Sequence, residues 1–145
     1  MIGLLQRVSA ASVAVGGREV ARIERGLLVL VAVQKDDGEP QVARLLERLL
    51  GYRVFADEAG RMNRSLRDTS GGLLLVPQFT LAADTDKGTR AGFATAAGPE
   101  RARELFEQLV AAARAAWPQV GAGEFGADMK VTLTNDGPVT FWLES

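Results

Sequence analysis

The chain has 145 residues, of which 17 are Lys or Arg and 18 are Asp or Glu, giving a formal net charge of −1. It contains no His and no Cys, which excludes a His-containing catalytic triad, a Cys thiolate nucleophile, the usual Cys/His zinc sites and disulfides. The length fits a single domain spanning residues 1–145, and the near-neutral charge argues against broad binding to polyanions such as DNA.

The N-terminal part of the chain predicts four strand segments. Residues 2–8 are mostly apolar and predict the first one. Residues 13–15 and 19–23 predict a hairpin around a two-glycine turn, because such turns need positive φ angles. The continuous apolar run 27–33 is typical of a strand that is buried on both faces.

Two amphipathic helices are predicted from apolar residues at helical spacing. The first is expected to end at Gly51, and the second to begin at Pro99 and stop before Pro118. The apolar stripe of the first helix comprises Val42, Leu45, Leu46, Leu49 and Leu50. The stripe of the second comprises Ala102, Leu105, Phe106, Leu109, Val110 and Ala113.

Short strands are predicted around residues 52–55 and 71–79, followed by a Gly- and charge-rich loop over residues 82–92. At the end of the chain, residues 129–134 and 139–143 predict two strands joined by a tight turn. Many strands with only two main helices predict a mixed α/β, strand-rich fold in which the helices pack on one side of a sheet.

The chain shows neither a targeting nor a membrane signal. Its longest apolar run, residues 27–33, is far shorter than the ~20 residues that span a bilayer, and the N-terminal residues lack the regions of a signal peptide. We therefore expect a cytoplasmic protein with no membrane partner.

Three polar clusters lie beside the predicted strands: Gln6-Arg7, Pro77-Gln78-Phe79-Thr80-Leu81 and Asn135-Asp136-Gly137-Pro138-Val139-Thr140. Taken one at a time, each is more simply explained as a strand end whose polar groups are hydrogen-bonded, or as an ordinary tight turn. Their chemical content is limited to hydroxyls, amides, one Arg, one Asp and the backbone.

Taken together, these segments are similar to the D-aminoacyl-tRNA deacylase family. The similarity runs in order from one end of the chain to the other. It includes the opening Leu5-Gln6-Arg7-Val8-Ser9, the central Gln78-Phe79-Thr80-Leu81 with Lys87-Gly88, and the terminal Phe125-Gly126-Ala127-Asp128-Met129 and Asn135-Asp136-Gly137-Pro138. The resemblance implies a homodimeric three-layer β/β/α sandwich. It also implies hydrolysis of the ester that joins a D-amino acid to tRNA, and removal of glycine mischarged onto tRNA for alanine.

The resemblance also implies roles for individual residues. Gln78, Phe79 and Thr80 would form the catalytic pocket that holds the aminoacyl ester and terminal adenosine. Gly137-Pro138 would be a cis peptide that enters the pocket of the other subunit and binds the substrate's ammonium group. Arg7 would orient that peptide and Met129 would flank it. The tRNA 3′ end and a second subunit are then the expected partners, with no metal, cofactor or DNA.

The mechanism can be argued without a general base, because no His is present and Asp136 is the only carboxylate in the three clusters. Backbone N–H groups near Phe79 and Thr80 could stabilise an oxyanion. The resemblance implies that the tRNA's own 2′-hydroxyl assists water. A covalent Thr80 nucleophile is the less favoured alternative, since no partner that would activate it is visible.

Two positions depart from the family pattern: Pro77 stands where Ser is common, and Ala91 where Pro is expected. Two other functions stay open from the sequence. One is a dimer that binds aminoacyl-tRNA or free D-amino acids without hydrolysis. The other is L-seryl editing, as in the archaeal domain attached to threonyl-tRNA synthetase, although the free-standing chain and Gly137-Pro138 argue against it.

Overall fold

Eight strands and three α-helices make up the computed structural model, which describes all residues 1–145. The strands are β1 (Ile2–Val15), β2 (Arg18–Ile23), β3 (Gly26–Ala32), β4 (Phe55–Ala56), β5 (Met62–Arg64), β6 (Gly72–Pro77), β7 (Val120–Ala122) and β8 (Met129–Glu144). The helices are α1 (Glu39–Gly51), α2 (Leu66–Thr69) and α3 (Pro99–Ala116), and a 3-10 helix (Phe79–Ala82) follows β6. The expected strand-rich, mixed α/β fold with two main helices is confirmed.

The long strand β1 organises the sheet because it has partners on both edges. Its first half pairs with β3 and its second half with β2, both antiparallel, while β8 runs antiparallel along its other edge. The turn between β1 and β2 is the predicted two-glycine turn, with φ of 57° at Gly16 and 77° at Gly17. Strand β6 adds parallel to β3, and β7 adds parallel to β6.

Helices α1 and α3 form a layer on one face of this sheet. Their predicted apolar stripes are buried together with odd-numbered residues of β1, β3 and β6 in a core of 23 residues. Both helices end where predicted, at Gly51 and before Pro118. None of the helices combines the length and the apolar character needed to cross a bilayer.

A smaller core lies on the opposite face of the same sheet. It joins Val8, Ala11 and Val13 of β1 to Leu74 and Val76 of β6, with half-buried residues of β8 packed against it. The second half of β1 therefore folds with β2 and the start of β8 across the outer face of β3 and β6. One helical layer and two layers of the same folded six-stranded sheet thus agree with the β/β/α sandwich that the family resemblance implied.

Strand β8 differs from its prediction. The sequence predicted two strands joined by a turn at residues 135–138, but β8 is continuous from Met129 to Glu144 and bulges there. Its pairing with β1 passes from Gln6↔Thr140 to Val8↔Asn135, so residues 136–139 have no direct partner. Residues typical of a turn also suit a bulge. Here they form a bulge because β1 is long enough to pair with β8 on both sides of it.

Other differences are confined to short elements. The strand expected near 52–55 is the two-residue β4, and the one expected over 71–79 ends at Pro77 and is followed by the 3-10 helix. Helix α2 and strands β5 and β7 were not predicted, since elements of three or four residues carry too little periodicity to detect.

Candidate functional site

The Gln78–Thr80 segment lies where the parallel strand β6 ends and the chain turns away from the sheet. The Gln78 N–H donates to Val31 O at 2.7 Å, which ties this corner to the adjacent strand β3. The chain then enters the 3-10 helix, whose first hydrogen bond runs from Leu81 N–H to Gln78 O at 3.2 Å. The N–H groups of Phe79 and Thr80 precede that bond, so the helix gives them no acceptor.

A cavity of about 270 Å³ opens beside this corner. It brings together three of the predicted site residues, Gln78, Phe79 and Met129. The other lining residues are Val76, Pro77, Phe125, Gly126, Ala127 and Val131. The wall from Phe125 to Ala127 carried the family resemblance, but no sequence signal assigned it a place in the pocket.

Thr80 directly follows Phe79 in the 3-10 helix, but it is exposed and is not among the residues that line the cavity. Its Oγ1 accepts a hydrogen bond from Gln78 Nε2 at 2.6 Å. The Gln78 amide thus donates to the Thr80 hydroxyl, and no carboxylate or other basic group is hydrogen-bonded to that hydroxyl. Thr80 therefore has no group placed to remove its proton.

Phe79 is 57% exposed although it is large and apolar. Its only aromatic neighbour is Phe93, which is 43% exposed, with ring centroids 5.2 Å apart and planes tilted by 45°. An exposed aromatic pair next to the cavity offers a surface on which another flat group can stack.

Pro77 is accommodated because it is the last residue of β6. It stands opposite Val31 of β3, whereas the pairing of β6 with β7 covers only residues 73–75. No partner strand therefore needs an N–H from Pro77 on the β7 side, consistent with the tolerance of Pro at strand ends.

The remaining predicted residues lie together at the β8 bulge. Arg7 stands on β1 opposite residues 136–139, and its side chain is 16% exposed. Its Nε donates to Asp136 O at 2.8 Å, and its Nη1 donates to Val54 O at 2.6 Å. One guanidinium thus joins the bulge to the segment that leads into β4.

The bulge is also fixed from within. Asn135 Oδ1 accepts the Val139 N–H at 2.7 Å, and Asn135 Nδ2 donates to Thr140 Oγ1 at 2.9 Å. The Gly137-Pro138 peptide is cis, as the family resemblance implied, and both residues are exposed. Gly137 has φ of 143°, a value that favours glycine, and a Cβ there would stand 2.7 Å from Val139 Cγ2 and 3.1 Å from Arg7 Nη2.

Within one chain, the two groups of residues are separate. Gln78, Phe79 and Met129 line the cavity, whereas Arg7, Gly137 and Pro138 do not. The structure therefore presents a pocket at the end of β6 and, at the β8 bulge, an exposed peptide whose flanking residues are held by hydrogen bonds.

Comparisons with known proteins cover the whole chain. A family profile described as D-Tyr-tRNA(Tyr) deacylase matches residues 4–144. A D-aminoacyl-tRNA deacylase of Alkalilimnicola ehrlichii is 67% identical over 145 residues, covering 100% of this chain and 97% of the relative. A protein of the same description from Pseudomonas aeruginosa is 61% identical, with 100% of both chains covered.

Solved structures show the same fold. A structure described as c-Myc DNA unwinding element binding protein is similar with a TM-score of 0.95 and 36% identity, covering 100% of this chain and 99% of the other. A structure described as a probable eukaryotic D-amino acid tRNA deacylase has a TM-score of 0.86, at 19% identity, over 99% of this chain and 98% of the other.

Proposed function

This chain belongs to the D-Tyr-tRNA(Tyr) deacylase family, and we propose that it hydrolyses the ester bond of D-aminoacyl-tRNA to give free D-amino acid and tRNA. The observation that carries the proposal is the cavity at the end of β6, where Gln78, Phe79 and Met129 meet beside two backbone N–H groups. Whole-length identity of 67% to a D-aminoacyl-tRNA deacylase supports it.

The site is proposed to stabilise the negative charge that develops on the ester oxygen during hydrolysis. Ester hydrolysis passes through a tetrahedral intermediate whose oxygen carries a negative charge. The N–H groups of Phe79 and Thr80 have no acceptor within the 3-10 helix and suit this oxygen. A donor of this kind is typically worth about 10²–10³ in rate.

No basic group bonds to Thr80, so Thr80 is not proposed as the nucleophile. Water is proposed to attack the ester instead, with a group of the substrate assisting it. Thr80 Oγ1 accepts from Gln78 Nε2, which orients the hydroxyl without increasing its nucleophilicity. The 2′-hydroxyl next to the ester is the nearest group able to assist water. In this account Gln78 and Thr80 shape and orient the site, and the tRNA supplies the proton-transfer group.

Selection of the D-enantiomer is proposed to use backbone carbonyls. If the carbonyls of Gly137 and Pro138 bind the substrate's α-ammonium, the side chain of a D-residue points out of the site and that of an L-residue meets its wall. Since no side chain is read, D-amino acids of different size are accepted, and glycine attached to tRNA for alanine is hydrolysed as well. Arg7 supports this role because it holds Asp136, the residue before the peptide.

The cavity and the Gly137-Pro138 peptide are proposed to meet across a homodimer. Both Gly137 and Pro138 are exposed and lie outside the cavity of their own chain, so a second subunit can receive them. Each dimer would then hold two equivalent sites, as expected for a twofold interface. The tRNA 3′ end is the proposed partner, and the cytoplasm, where tRNA is charged, is the proposed location.

DNA is the competing partner, because one relative of 36% identity is described as a protein that binds a DNA unwinding element. The charge of this chain does not favour duplex DNA, which proteins bind largely by neutralising phosphates. A duplex DNA competitor that abolished tRNA hydrolysis at equal concentration would show that the two polyanions share a site.

The test of the proposed function compares D-tyrosyl-tRNA with L-tyrosyl-tRNA under identical conditions. The proposal predicts rapid release of D-tyrosine and release of L-tyrosine at the spontaneous rate. Protection of both esters from spontaneous hydrolysis would instead support the binding dimer. Rapid hydrolysis of L-seryl-tRNA with an intact D-ester would support the editing alternative.

A further inference from the structure

The loop between the 3-10 helix and α3 carries charged and aromatic groups that the mechanism above does not use. It spans residues 84–92 and is closed by a pair of backbone hydrogen bonds, Asp84 N–H to Gly92 O at 2.8 Å and Gly92 N–H to Asp84 O at 2.9 Å. Phe93 follows directly and packs against Phe79. The closed base of the loop is therefore held next to the cavity.

The base of the loop has a second attachment. Thr95 Oγ1 donates to Ala82 O at 2.6 Å, and Lys35 N–H donates to Thr95 O at 3.0 Å. These bonds join the loop to the last residue of the 3-10 helix and to the segment after β3. The loop therefore extends from a fixed point beside Thr80, and its tip is exposed to solvent.

Two cations of the loop, Lys87 and Arg90, line one polar groove of about 460 Å³ with Asp84, Asp86 and Gly92. Neither cation forms an ion pair, although the two carboxylates share the groove and eight ion pairs occur elsewhere in the protein. Asp84 Oδ1 instead accepts the Asp86 N–H at 3.0 Å. The cations are thus free to bind another anion.

We propose that residues 84–93 bind the unpaired 3′ end of tRNA upstream of the terminal adenosine, with Lys87 and Arg90 contacting phosphates and Phe93 contacting a base. This inference rests on the proposed function and adds to it a binding surface for the polynucleotide. The groove has no net charge, which suits a single strand better than a polyphosphate. The strand presents phosphates to cations, base amino groups to carboxylates and flat faces to aromatic rings.

The position of the loop next to the cavity favours the unpaired 3′ end of the tRNA over a separate anionic ligand. A single strand whose ester lies at Gln78–Thr80 can leave the cavity over the Phe79–Phe93 pair, because Phe79 lines the cavity and both rings are exposed. The loop closed at Asp84 and Gly92 begins next to Phe93, so we expect the upstream phosphates in the groove of Lys87 and Arg90. Aromatic rings beside cations are the usual composition of surfaces that bind single strands without sequence preference.

The experiment measures binding of fluorescent RNA minihelices with and without an unpaired four-nucleotide 3′ tail, so that no hydrolysis is required. Wild-type protein is expected to bind the tailed RNA about tenfold more tightly than the blunt one. The double variant Lys87→Ala/Arg90→Ala should lose this difference, and the salt dependence of log K should become shallower by about 0.7 per cation removed. Arg44→Ala, which removes an exposed cation on α1, is the matched control and should behave as wild type.

Equal binding of both RNAs by wild type, or an undiminished preference for the tail in the double variant, would overturn the inference. A parallel assay separates it from the proposed function. Wild type and the double variant should hydrolyse D-tyrosyl-adenosine, which has no upstream phosphate, at equal rates, while the variant's KM for D-tyrosyl-tRNA rises about tenfold. A loss of the same size on both substrates would assign the loop a purely structural role and also overturn the inference.

Discussion

Arg7 contributes geometry that another cation cannot supply. Its Nε and Nη1 donate in different directions, to Asp136 O and Val54 O. This spacing depends on the fixed fork of the guanidinium, and a Lys ammonium cannot reproduce it. Because Asp136 precedes the Gly137-Pro138 peptide, the position of that peptide depends on both bonds.

We expect Arg7→Lys to lower kcat/KM for D-tyrosyl-tRNA by about tenfold, the effect of one lost hydrogen bond to a charged group. The melting temperature should change little, since the ammonium still reaches one carbonyl. The check is a kinetic assay beside a thermal melt, with Arg101→Lys on the exposed face of α3 as the control. An unchanged rate and D/L ratio would show that Arg7 does not position the Gly137-Pro138 peptide for the reaction.

Thr80 is expected to act through its shape and its bond to Gln78 rather than as a nucleophile. Thr80→Ser keeps the acceptor for Gln78 Nε2 and should retain most activity, whereas Thr80→Ala should retain a measurable fraction. A terminal 2′-deoxyadenosine in the substrate should in contrast slow wild-type hydrolysis strongly. An acyl group found on Thr80 by mass spectrometry after rapid quench would contradict this role.

At the scale of elements, the helices and long strands were predictable because their patterns are local. The stripe on α1, the buried run of β3 and the turn at Gly16 all follow from residue spacing. The path of β8 was not predictable from the sequence, because a bulge and a hairpin turn use the same residue types. Only the pairing of β8 with β1 distinguishes them. Likewise, the wall from Phe125 to Ala127 joins the cavity only through tertiary packing.

The parallel pair β3–β6 depends on two glycines in register, Gly26 and Gly72. A Cβ on Gly26 would lie 2.6 Å from Gly72 N, an approach that backbone atoms cannot relieve. We expect Gly26→Ala to destabilise the protein by at least about 2 kcal/mol and to lower the melting temperature by roughly 4–8 °C.

Gly51→Ala is the matched control for this substitution. Gly51 is the last residue of α1, and a Cβ there meets no atom within 4 Å. The same change should therefore leave stability unaltered or raise it slightly, as expected for Gly→Ala in a helix. Similar melting curves for Gly26→Ala and wild type would show that β3 and β6 can separate at this point without cost.

At the scale of the whole molecule, the residue types present predict a hydrolase that does not depend on metal. The sequence has no His or Cys, and no three acidic side chains are grouped so that they could hold an ion. EDTA should leave the rate of D-tyrosyl-tRNA hydrolysis unchanged when tRNA folding is maintained by a fixed concentration of spermidine. A large loss that zinc or magnesium restored would contradict the mechanism.

Family, fold and three of the nine residues that line the cavity were accessible from the sequence, because the motifs occur in order along the entire chain and residues 4–144 match one family profile. The resemblance implied that Gly137-Pro138 serves the pocket of the other subunit, and the structure adds that Arg7, Gly137 and Pro138 lie outside the cavity of their own chain. That separation leads to the central claim, that one subunit's Gly137-Pro138 peptide completes the pocket of the other.

The most direct test of this claim is subunit complementation between two inactive variants. Gly137→Ala disturbs the peptide, since the added Cβ meets Val139 and Arg7, and Phe79→Ala disturbs the cavity. Each variant alone should be nearly inactive on D-tyrosyl-tRNA. After the two are unfolded and refolded together in equal amounts, half of the dimers are mixed and each has one intact site, so activity should recover to about a quarter of wild type. A mixture that stays as inactive as its components, despite mixed dimers seen by native mass spectrometry, would contradict the claim.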